Sequence, residues 1–520
     1  MMEQCRNTWQ TSKAYRFLLV AAAIYFVLRL GVQFAFLVLL PQYGDAAYEV
    51  PVDLQIYLDA ARRLQERTNL YPQGPDQIEV YQYAPSYALL FTSALWLSPI
   101  VVAILHTVLH VVSYVLLYLS WDRIAARAQL EALRSRLAWS LPIWLLFSSF
   151  WTDLGYLNIY IVVALLATWL IENILEKNLG RSILWLSIIL QIKPHWAFAA
   201  VVPLLMGHYR FFLKLVGSAA AIYGLVTAVT IGIVGPAYGI KQYQDYVGLL
   251  SNMRAYFPWR GPDARYLGYN HSIAQIVTFF LGVTPVALRL ATAIKVILLI
   301  PLGWVSIKHW LRSTPTNGTG LPGTGLQAER RIARTTRSPG LLQSSLTAGA
   351  PSRGGLSTRA PRCGCSAGGD LSLRPGNSST PGQPAAPPLG MTGSTDHTTP
   401  MTGSLVFLDL VFAFYLGAFI WLDMVWELSL GVVVYAYLMA TIERRWVHIV
   451  ASGTFLTYAL LDPLRLVSYG LSMTGLEIVD PGPYILTDPN IYVPTIMLSI
   501  LVFYATLVLR LGSGQLQEQI

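Results

Sequence analysis

Residues 17–40 read FLLVAAAIYFVLRLGVQFAFLVLL, and this stretch decides the class of fold. Roughly 20 predominantly apolar residues are enough for a helix to cross the hydrocarbon core of a bilayer. Comparable runs recur at 213–234 and 286–307. Several such runs in one chain predict an all-α polytopic membrane protein.

The composition of the whole chain favours the same class. Of its 520 residues, 54% are hydrophobic and 12% are charged. A soluble domain carries roughly 25% charged residues, so about half of the expected charge is missing. The long first apolar run lacks a small-residue cleavage site, which indicates a retained signal anchor and not a cleaved signal peptide.

Hydropathy predicts about twelve membrane crossings. They lie near 17–40, 86–98, 100–120, 138–151, 156–172, 182–206 (two half-length pieces), 213–234, 285–307, 405–422, 428–442, 447–467 and 491–511. Lys and Arg are enriched at cytoplasmic ends, so the basic N-terminal segment is expected inside and the polar loops 41–85, 235–270 and 469–490 outside.

One segment conflicts with this topology. If 86–98 and 100–120 form a complete hairpin, the basic segment 122–136 falls on the external side. Either one of the two apolar pieces is re-entrant, or the basic segment is an external amphipathic helix.

Residues 311–404 differ from the rest of the chain and divide it into membrane segments 1–310 and 405–520. They are rich in Gly, Pro, Ser and Thr. They contain nine arginines and three acidic residues, so this segment carries a net charge of +6 out of the +9 of the whole chain. A segment of this composition cannot bury enough apolar surface to offset the entropy lost on ordering, so we expect a disordered cytoplasmic linker.

The same segment contains no aromatic residue on which a base could stack, so nucleic-acid binding is not favoured. Cys363-x-Cys365 without partner ligands is a weak metal signal.

The first external loop carries the most informative pattern. Asp53, Tyr57, Ala60, Ala61 and Leu64 fall at i, i+4, i+7, i+8 and i+11, which is one face of a helix. An interfacial helix lying along the membrane has this pattern, and it would hold Asp53 near the mouth of a cavity below. The pattern alone favours a simpler role for Asp53 as the helix N-cap.

Lys193-Pro194 interrupts the apolar run 183–206. A charged residue at membrane depth usually faces a cavity or a polar ligand, and proline breaks the helix there. We therefore expect a short-helix hairpin that presents Lys193 to an anion, such as a lipid-linked phosphate. The alternative is that Lys193 extends its ammonium group to the membrane interface.

The external loop 235–270 is unusual in carrying Arg254, Arg260 and Arg265, followed by Asn270 and His271. External arginines oppose the positive-inside bias, and phosphate or sugar contact is one reason for them. For each arginine taken singly, a solvated position on the surface is about as good an explanation. His271 could simply be a polar residue at the start of a helix.

Together these motifs resemble glycosyltransferase family 87, the polyprenyl-phosphate-mannose-dependent mannosyltransferases of the GT-C superfamily. The residues that carry the resemblance are Asp53, Tyr57, Ala60, Ala61, Leu64, Tyr83-Ala84-Pro85, Gly155-Tyr156-Leu157-Asn158, Lys193-Pro194 and Asn270-His271-Ser272. Two positions depart from the family pattern. Tyr156 replaces a glutamine, and Trp426-Glu427-Leu428-Ser429 stands where the family has Trp-Glu-His-His.

The resemblance implies a GT-C-type fold with juxtamembrane helices in the first external loop of a multi-pass cell-membrane protein. It implies an inverting transfer of a hexose, mannose in the family, from a polyprenyl-phosphate-sugar donor to a lipid or glycan acceptor at the external (periplasmic or extracellular) face. Asp53 would be the catalytic base, with Lys193, Arg260 and Arg265 at the donor phosphate. The substrate cavity would be lined by Tyr57, Tyr83, Asn158, His195, Asn270, His271, Asp423 and Glu427. No metal or other cofactor is expected.

A transporter or lipid flippase is the main alternative, and a non-catalytic scaffold is a third. A transporter should show related halves with broken helices at corresponding positions, and Lys193-Pro194 has no obvious counterpart. The external acidic motif does not fit a scaffold.

Overall fold

The computed structural model describes residues 2–43, 50–72, 81–257, 259–264, 267, 270–313, 400–464, 467 and 489–513. All regular structure in these ranges is helical. The predicted linker at 311–404 lies almost wholly outside them, so its character stays a prediction.

The described helices up to residue 192 include long apolar helices and several short ones. They are α1 Met2–Thr11, α2 Lys13–Tyr43, α3 Val52–Glu66, α4 Pro85–Thr92, α5 Pro99–Arg127, α6 Glu131–Trp139, α7 Leu141–Leu146, α8 Ser148–Tyr156, α9 Tyr160–Leu175 and α10 Leu179–Ile192. Short 3₁₀ turns cover Ser93–Trp96 and Pro194–Val201.

The remaining helices follow the same pattern. They are α11 Val202–Leu205, α12 Tyr209–Val234, α13 Pro236–Tyr256, α14 Ile273–Leu281, α15 Pro285–Ser313, α16 Pro400–Trp421, α17 Gly431–Thr441, α18 Arg445–Ala459 and α19 Pro489–Ser513. The loop expected at 235–270 therefore contains a 21-residue helix, α13.

Six of the described helices are long and apolar enough to cross a membrane. They contain Lys13–Val38, Pro99–Arg127, Tyr209–Val234, Pro285–Arg312, Gly403–Trp421 and Ile496–Ser513. A seventh span is possible if Leu141–Tyr156 and Tyr160–Leu175, bent by 117°, count as one. The chain is thus a polytopic helical membrane protein, while the count of about twelve crossings is not confirmed.

The structure favours the re-entrant explanation for the topology near 86–137. An eight-residue helix such as α4 is about 12 Å long, which is less than half of a hydrocarbon core of about 30 Å. The next helix, α5, runs without interruption into the basic segment. There Arg123 and Arg127 pair with Glu172 near the end of α9, at 3.1 and 2.7 Å, so much of the local charge is neutralised.

Aromatic packing holds α3 on α4. The ring centroids of Tyr57 and Tyr87 lie 5.4 Å apart, and those of Tyr83 and Tyr87 4.8 Å apart. Such pairs contribute about 0.5–1.5 kcal/mol each beyond the area they bury. The helix expected in the first external loop is confirmed, and Tyr57, Ala60, Ala61 and Leu64 are buried as its periodicity predicts.

Helices α15 and α16 run antiparallel. Lys295 reaches the carbonyl oxygen of Trp421 at 3.0 Å, and one to two turns further along α15, Leu302 lies against Gly417. The contacts therefore advance along one helix while they recede along the other. Near the end of α15, Lys308 donates a hydrogen bond of 3.1 Å to the carbonyl oxygen of Gly512 in α19. Arg510 of α19 pairs with Asp409 of α16, so the last turns of α15 and the first half of α16 lie beside the same end of α19.

We expect residues 315–396 to be dispensable for folding and activity. Because α15 ends near the start of α16, a linker of about ten Gly and Ser residues should rejoin them without strain, and shortening a flexible connection changes loop-closure entropy little. The thermal unfolding midpoint in detergent and the turnover number should match those of the full chain. Loss of both would contradict a passive linker.

Candidate active site

A cavity of about 440 Å³ opens between α3 and the C-terminal helices. This volume lies within the usual range for small-molecule sites. The lining is mainly polar and aromatic. It consists of Val52, Asp53, Ile56, Tyr57, Gln82, Tyr83, Ser148, Thr152, Asp153, Tyr156, Asn158, Tyr160, Lys193, His271, Trp426, Glu427, Tyr458, Leu461 and Ile496.

Asp53 reaches this cavity from the first turn of α3. The N-cap is Pro51, which makes no side-chain capping bond, so the interpretation of Asp53 as the N-cap is wrong. A carboxylate in the first turn is stabilised by the helix dipole without capping it. Asn158 Nδ2 donates a hydrogen bond of 2.8 Å to Asp53 Oδ2, and this bond fixes the orientation of the carboxylate.

The bend between α8 and α9 places Asn158. Leu157 has a left-handed backbone conformation with φ of +52°, which is uncommon for a bulky residue. The chain turns there so that Asn158 points back towards α3. An outlier of this kind persists only where its surroundings enforce it.

Two tyrosines complete this network. Their hydroxyl oxygens, Oη of Tyr57 and of Tyr83, lie 2.8 Å apart, and each is within 3.3 Å of Asn158 Oδ1. Burial, and then the neighbouring tyrosines and Asp53, raise the pKa of Tyr57 well above its usual value. Burial likewise raises the pKa of Tyr83, followed by Tyr87 and Asp53. Both phenols therefore stay neutral and serve as hydrogen-bond donors.

Lys193 enters the cavity at the expected helix break. Because proline lacks an N–H and disfavours helical geometry in the preceding residue, α10 ends at Ile192 and a 3₁₀ turn begins at Pro194. The Lys193 ammonium lies 3.3 Å from the ring centroid of Tyr160 and 5.2 Å from that of Tyr83. These are cation–π contacts, and no carboxylate of the described residues lies within 4 Å of it.

The opposite wall comes from the C-terminal half. Glu427 accepts a short hydrogen bond from the hydroxyl of Tyr458, and both line the cavity beside Trp426. His271 joins this wall, and its backbone N–H donates to the carbonyl oxygen of Val425 at 2.8 Å.

Other candidates are placed differently. Asn270 binds the backbone of Asp423 and Val425, at 2.9 and 3.0 Å, and so ties two chain segments together instead of lining the cavity. Asp423 is paired with Lys295 at 2.6 Å and is likewise absent from the cavity lining.

His195 is half-buried next to Trp196, and the Arg260 backbone is held by Gln275; neither residue lines the cavity. Arg265 lies outside the described residues.

Asp153 is the main cavity residue that sequence reasoning missed. It accepts hydrogen bonds from the N–H groups of Tyr160 and Ile161, at 3.2 and 2.9 Å, and so caps α9. His110 Nε2 lies 3.2 Å from Asp153 Oδ2, and both side chains are fully buried. The sequence contained a signal for this pair, because Asp153 and His110 both lie in apolar surroundings. Ionisable residues at membrane depth usually have a partner.

Comparison with known proteins identifies one family. The model of glycosyltransferase family 87 matches residues 81–321 of the chain. Tyr83, Asn158, Lys193 and His271 fall inside the matched region, while Asp53 lies upstream of it. No curated protein and no solved structure matches the chain.

We expect His110→Phe to destabilise the protein strongly, because it removes the imidazole beside the buried carboxylate of Asp153 and leaves that carboxylate only the two backbone N–H groups of α9. Breaking a buried pair in this way costs about 3–5 kcal/mol. The measurement is the thermal unfolding midpoint in detergent.

His106→Phe is the matched control. His106 is also buried, one turn earlier in α5, but its ring stacks near Tyr57 and contacts no carboxylate among the residues that the structure describes. Equal losses in the two variants would show that ring packing, and not the pair with Asp153, carries the stability.

Proposed function

We propose that the chain transfers a hexose from a polyprenyl-phosphate donor with inversion at the anomeric carbon, because the model of glycosyltransferase family 87 matches residues 81–321. The family match makes the chain a glycosyltransferase. Mannose is the hexose, and a lipid or glycan the acceptor, that the family resemblance implies. The observation that carries the proposal is that Asp53 and Lys193 line one cavity.

The reaction needs both groups. An acceptor hydroxyl attacks the anomeric carbon and forms the new C–O bond while the bond to the donor phosphate breaks. Asp53 takes the hydroxyl proton, and the phosphate departs with the electron pair of the broken bond. Lys193 compensates the charge that develops on the leaving phosphate.

Each contribution has a characteristic size. General-base catalysis contributes on the order of 10²–10⁴-fold, and one well-placed charge-stabilising donor on the order of 10²–10³-fold. Asn158 orients the base, and Tyr57 and Tyr83 hold Asn158. The Lys193 ammonium rests on aromatic faces, so it retains its capacity to bind an anion.

Glu427 and Trp426 are suited to hold the sugar from the opposite wall. An aromatic ring can pack against the apolar face of a hexose, and a carboxylate can accept hydrogen bonds from its hydroxyls. Glu427 is already oriented by Tyr458.

The charge distribution supports a site at the external face. Tyr160 at the start of α9 lines the cavity, whereas Glu172 near its end pairs with Arg123 and Arg127. Basic turns mark the cytoplasmic side of a membrane protein, so the cavity would lie on the other side.

We expect Asp53→Asn to lose roughly 10²–10⁴-fold in turnover while it folds normally and still binds the donor. Asparagine keeps the size of the side chain and a hydrogen-bond acceptor but cannot take the proton. Turnover is measured as sugar transfer in reconstituted vesicles that contain a polyprenyl-phosphate-hexose donor and acceptor lipid.

Asp59→Asn is the control on the same helix. Asp59 is half-exposed and pairs with Arg62 at 3.0 Å, outside the cavity. Near-normal turnover of Asp53→Asn at normal stability would eliminate Asp53 as the base and leave Glu427 as the next candidate.

We expect Lys193→Ala to weaken donor binding, and Lys193→Arg to retain part of it, because arginine keeps the charge but changes its reach and geometry. Donor affinity is measured by equilibrium binding of a fluorescent polyprenyl-phosphate-hexose to the purified protein. Lys241→Ala, which alters an exposed lysine paired with Asp245, is the control. Unchanged donor affinity in Lys193→Ala would leave Lys193 without a role at the phosphate.

A further inference from the structure

A second cavity, of about 780 Å³, lies where the end of α9, the turn before α12 and the start of α16 meet. Its lining combines basic side chains with an apolar wall. The residues that matter are Lys177, His208, Arg210, Leu175, Phe211 and Phe407. None of them belongs to the site described above.

This cavity lies at the other end of α9 from the first one. Tyr160 at the start of α9 lines the first cavity, and Ile174 and Leu175 at its end line the second. Fourteen residues of helix separate Tyr160 from Ile174, which corresponds to about 21 Å along the axis. The two cavities thus lie at opposite ends of α9, and the basic turns beside the second one indicate the cytoplasmic side of the membrane.

The basic side chains of the second cavity have no acidic partner in the described part of the chain. Lys177 and Arg210 are exposed, and no carboxylate of the described residues lies within 4 Å of either. The nearest acidic residue along the chain, Glu176, is instead paired with Arg127. Burial, and then the positive charge of Lys177, lower the pKa of His208, so that this ring is neutral at physiological pH.

Helix geometry adds to the positive potential. The N-cap of α12, His208, makes no side-chain capping bond. The first turn of such a helix carries a partial positive charge from its backbone N–H groups, which favours anions. Gly403 and Ser404 bring the first turns of α16 to the same cavity.

We propose that this cavity binds the headgroup of an anionic phospholipid. The phosphate would contact Lys177 and Arg210, and the glycerol and the upper acyl chain would pack against Leu175, Phe211 and Phe407. Basic pockets between membrane helices on the cytoplasmic side bind anionic headgroups in this way. The apolar wall distinguishes a lipid from a free phosphate, which has nothing to place against it.

The test uses the full chain in detergent, titrated with phosphatidylglycerol and analysed by native mass spectrometry. Lys177→Gln/Arg210→Gln should bind the lipid roughly thirty-fold more weakly than the wild type, because two charge contacts are lost. Lys177→Arg/Arg210→Lys keeps both charges and should bind nearly normally. Arg181→Gln/Lys214→Gln removes two exposed charges one turn further along α10 and α12, outside the cavity, and should also bind normally.

Two further titrations identify the ligand. Phosphatidylcholine should bind more weakly than phosphatidylglycerol, and sn-glycerol 3-phosphate should not displace bound phosphatidylglycerol. Displacement by glycerol phosphate would show a site for soluble phosphate and overturn the proposal. Equal losses in the cavity variant and the Arg181→Gln/Lys214→Gln control, or no lipid retained by the wild type, would also overturn it.

Discussion

The carboxylate of Asp153 holds the bend on which the site depends. It accepts hydrogen bonds from the first two N–H groups of α9 and meets His110 of α5. These contacts stabilise the change of direction through the strained Leu157, and two consequences follow. Asn158 is turned towards Asp53, and Tyr160 is turned towards Lys193. One buried carboxylate therefore positions both the candidate base and the candidate phosphate ligand without having to react itself.

The cations Lys295, Arg510 and Lys193 are held in two different ways. Lys295 contacts two backbone carbonyl oxygens and Asp423, and Arg510 is paired with Asp409, so their burial is compensated by the protein. Lys193 rests instead on the faces of Tyr160 and Tyr83. Cation–π contacts offset part of the cost of removing an ammonium from water, but they leave its hydrogen bonds unmade. In the proposed reaction a phosphate oxygen would supply those bonds, which is the physical reason to propose Lys193 as the ligand contact and Lys295 as a structural residue.

The sequence predicted the features that depend on local physics. The apolar periodicity of 53–64 gave α3 and its buried face, and Pro194 gave the end of α10 at Lys193. It could not predict pairings between distant segments. The family resemblance implied that Asp423 lines the cavity with Glu427, yet Lys295 holds it elsewhere. Asp153 was missed because its role depends on His110, 43 residues earlier in the chain. The piece at 86–98 was predicted as a crossing from hydropathy alone, which does not reveal that its helix ends at Thr92.

The cavity is lined by residues that precede the segment 314–399 in the chain and by residues that follow it. The antiparallel packing of α15 and α16 explains how these two sets of residues meet. At one end of this pair, Lys295 binds the chain at Asp423, only a few residues before Trp426 and Glu427 of the cavity wall. At the other end, α16 begins beside the second cavity, close to Gly403. The 19 residues from Gly403 to Trp421 correspond to about 28 Å of helix, so α16 begins at that distance from the end that leads into the cavity wall. The C-terminal wall is consequently positioned by helix packing and by the bonds of Lys295 and Asn270 to the chain at 421–425.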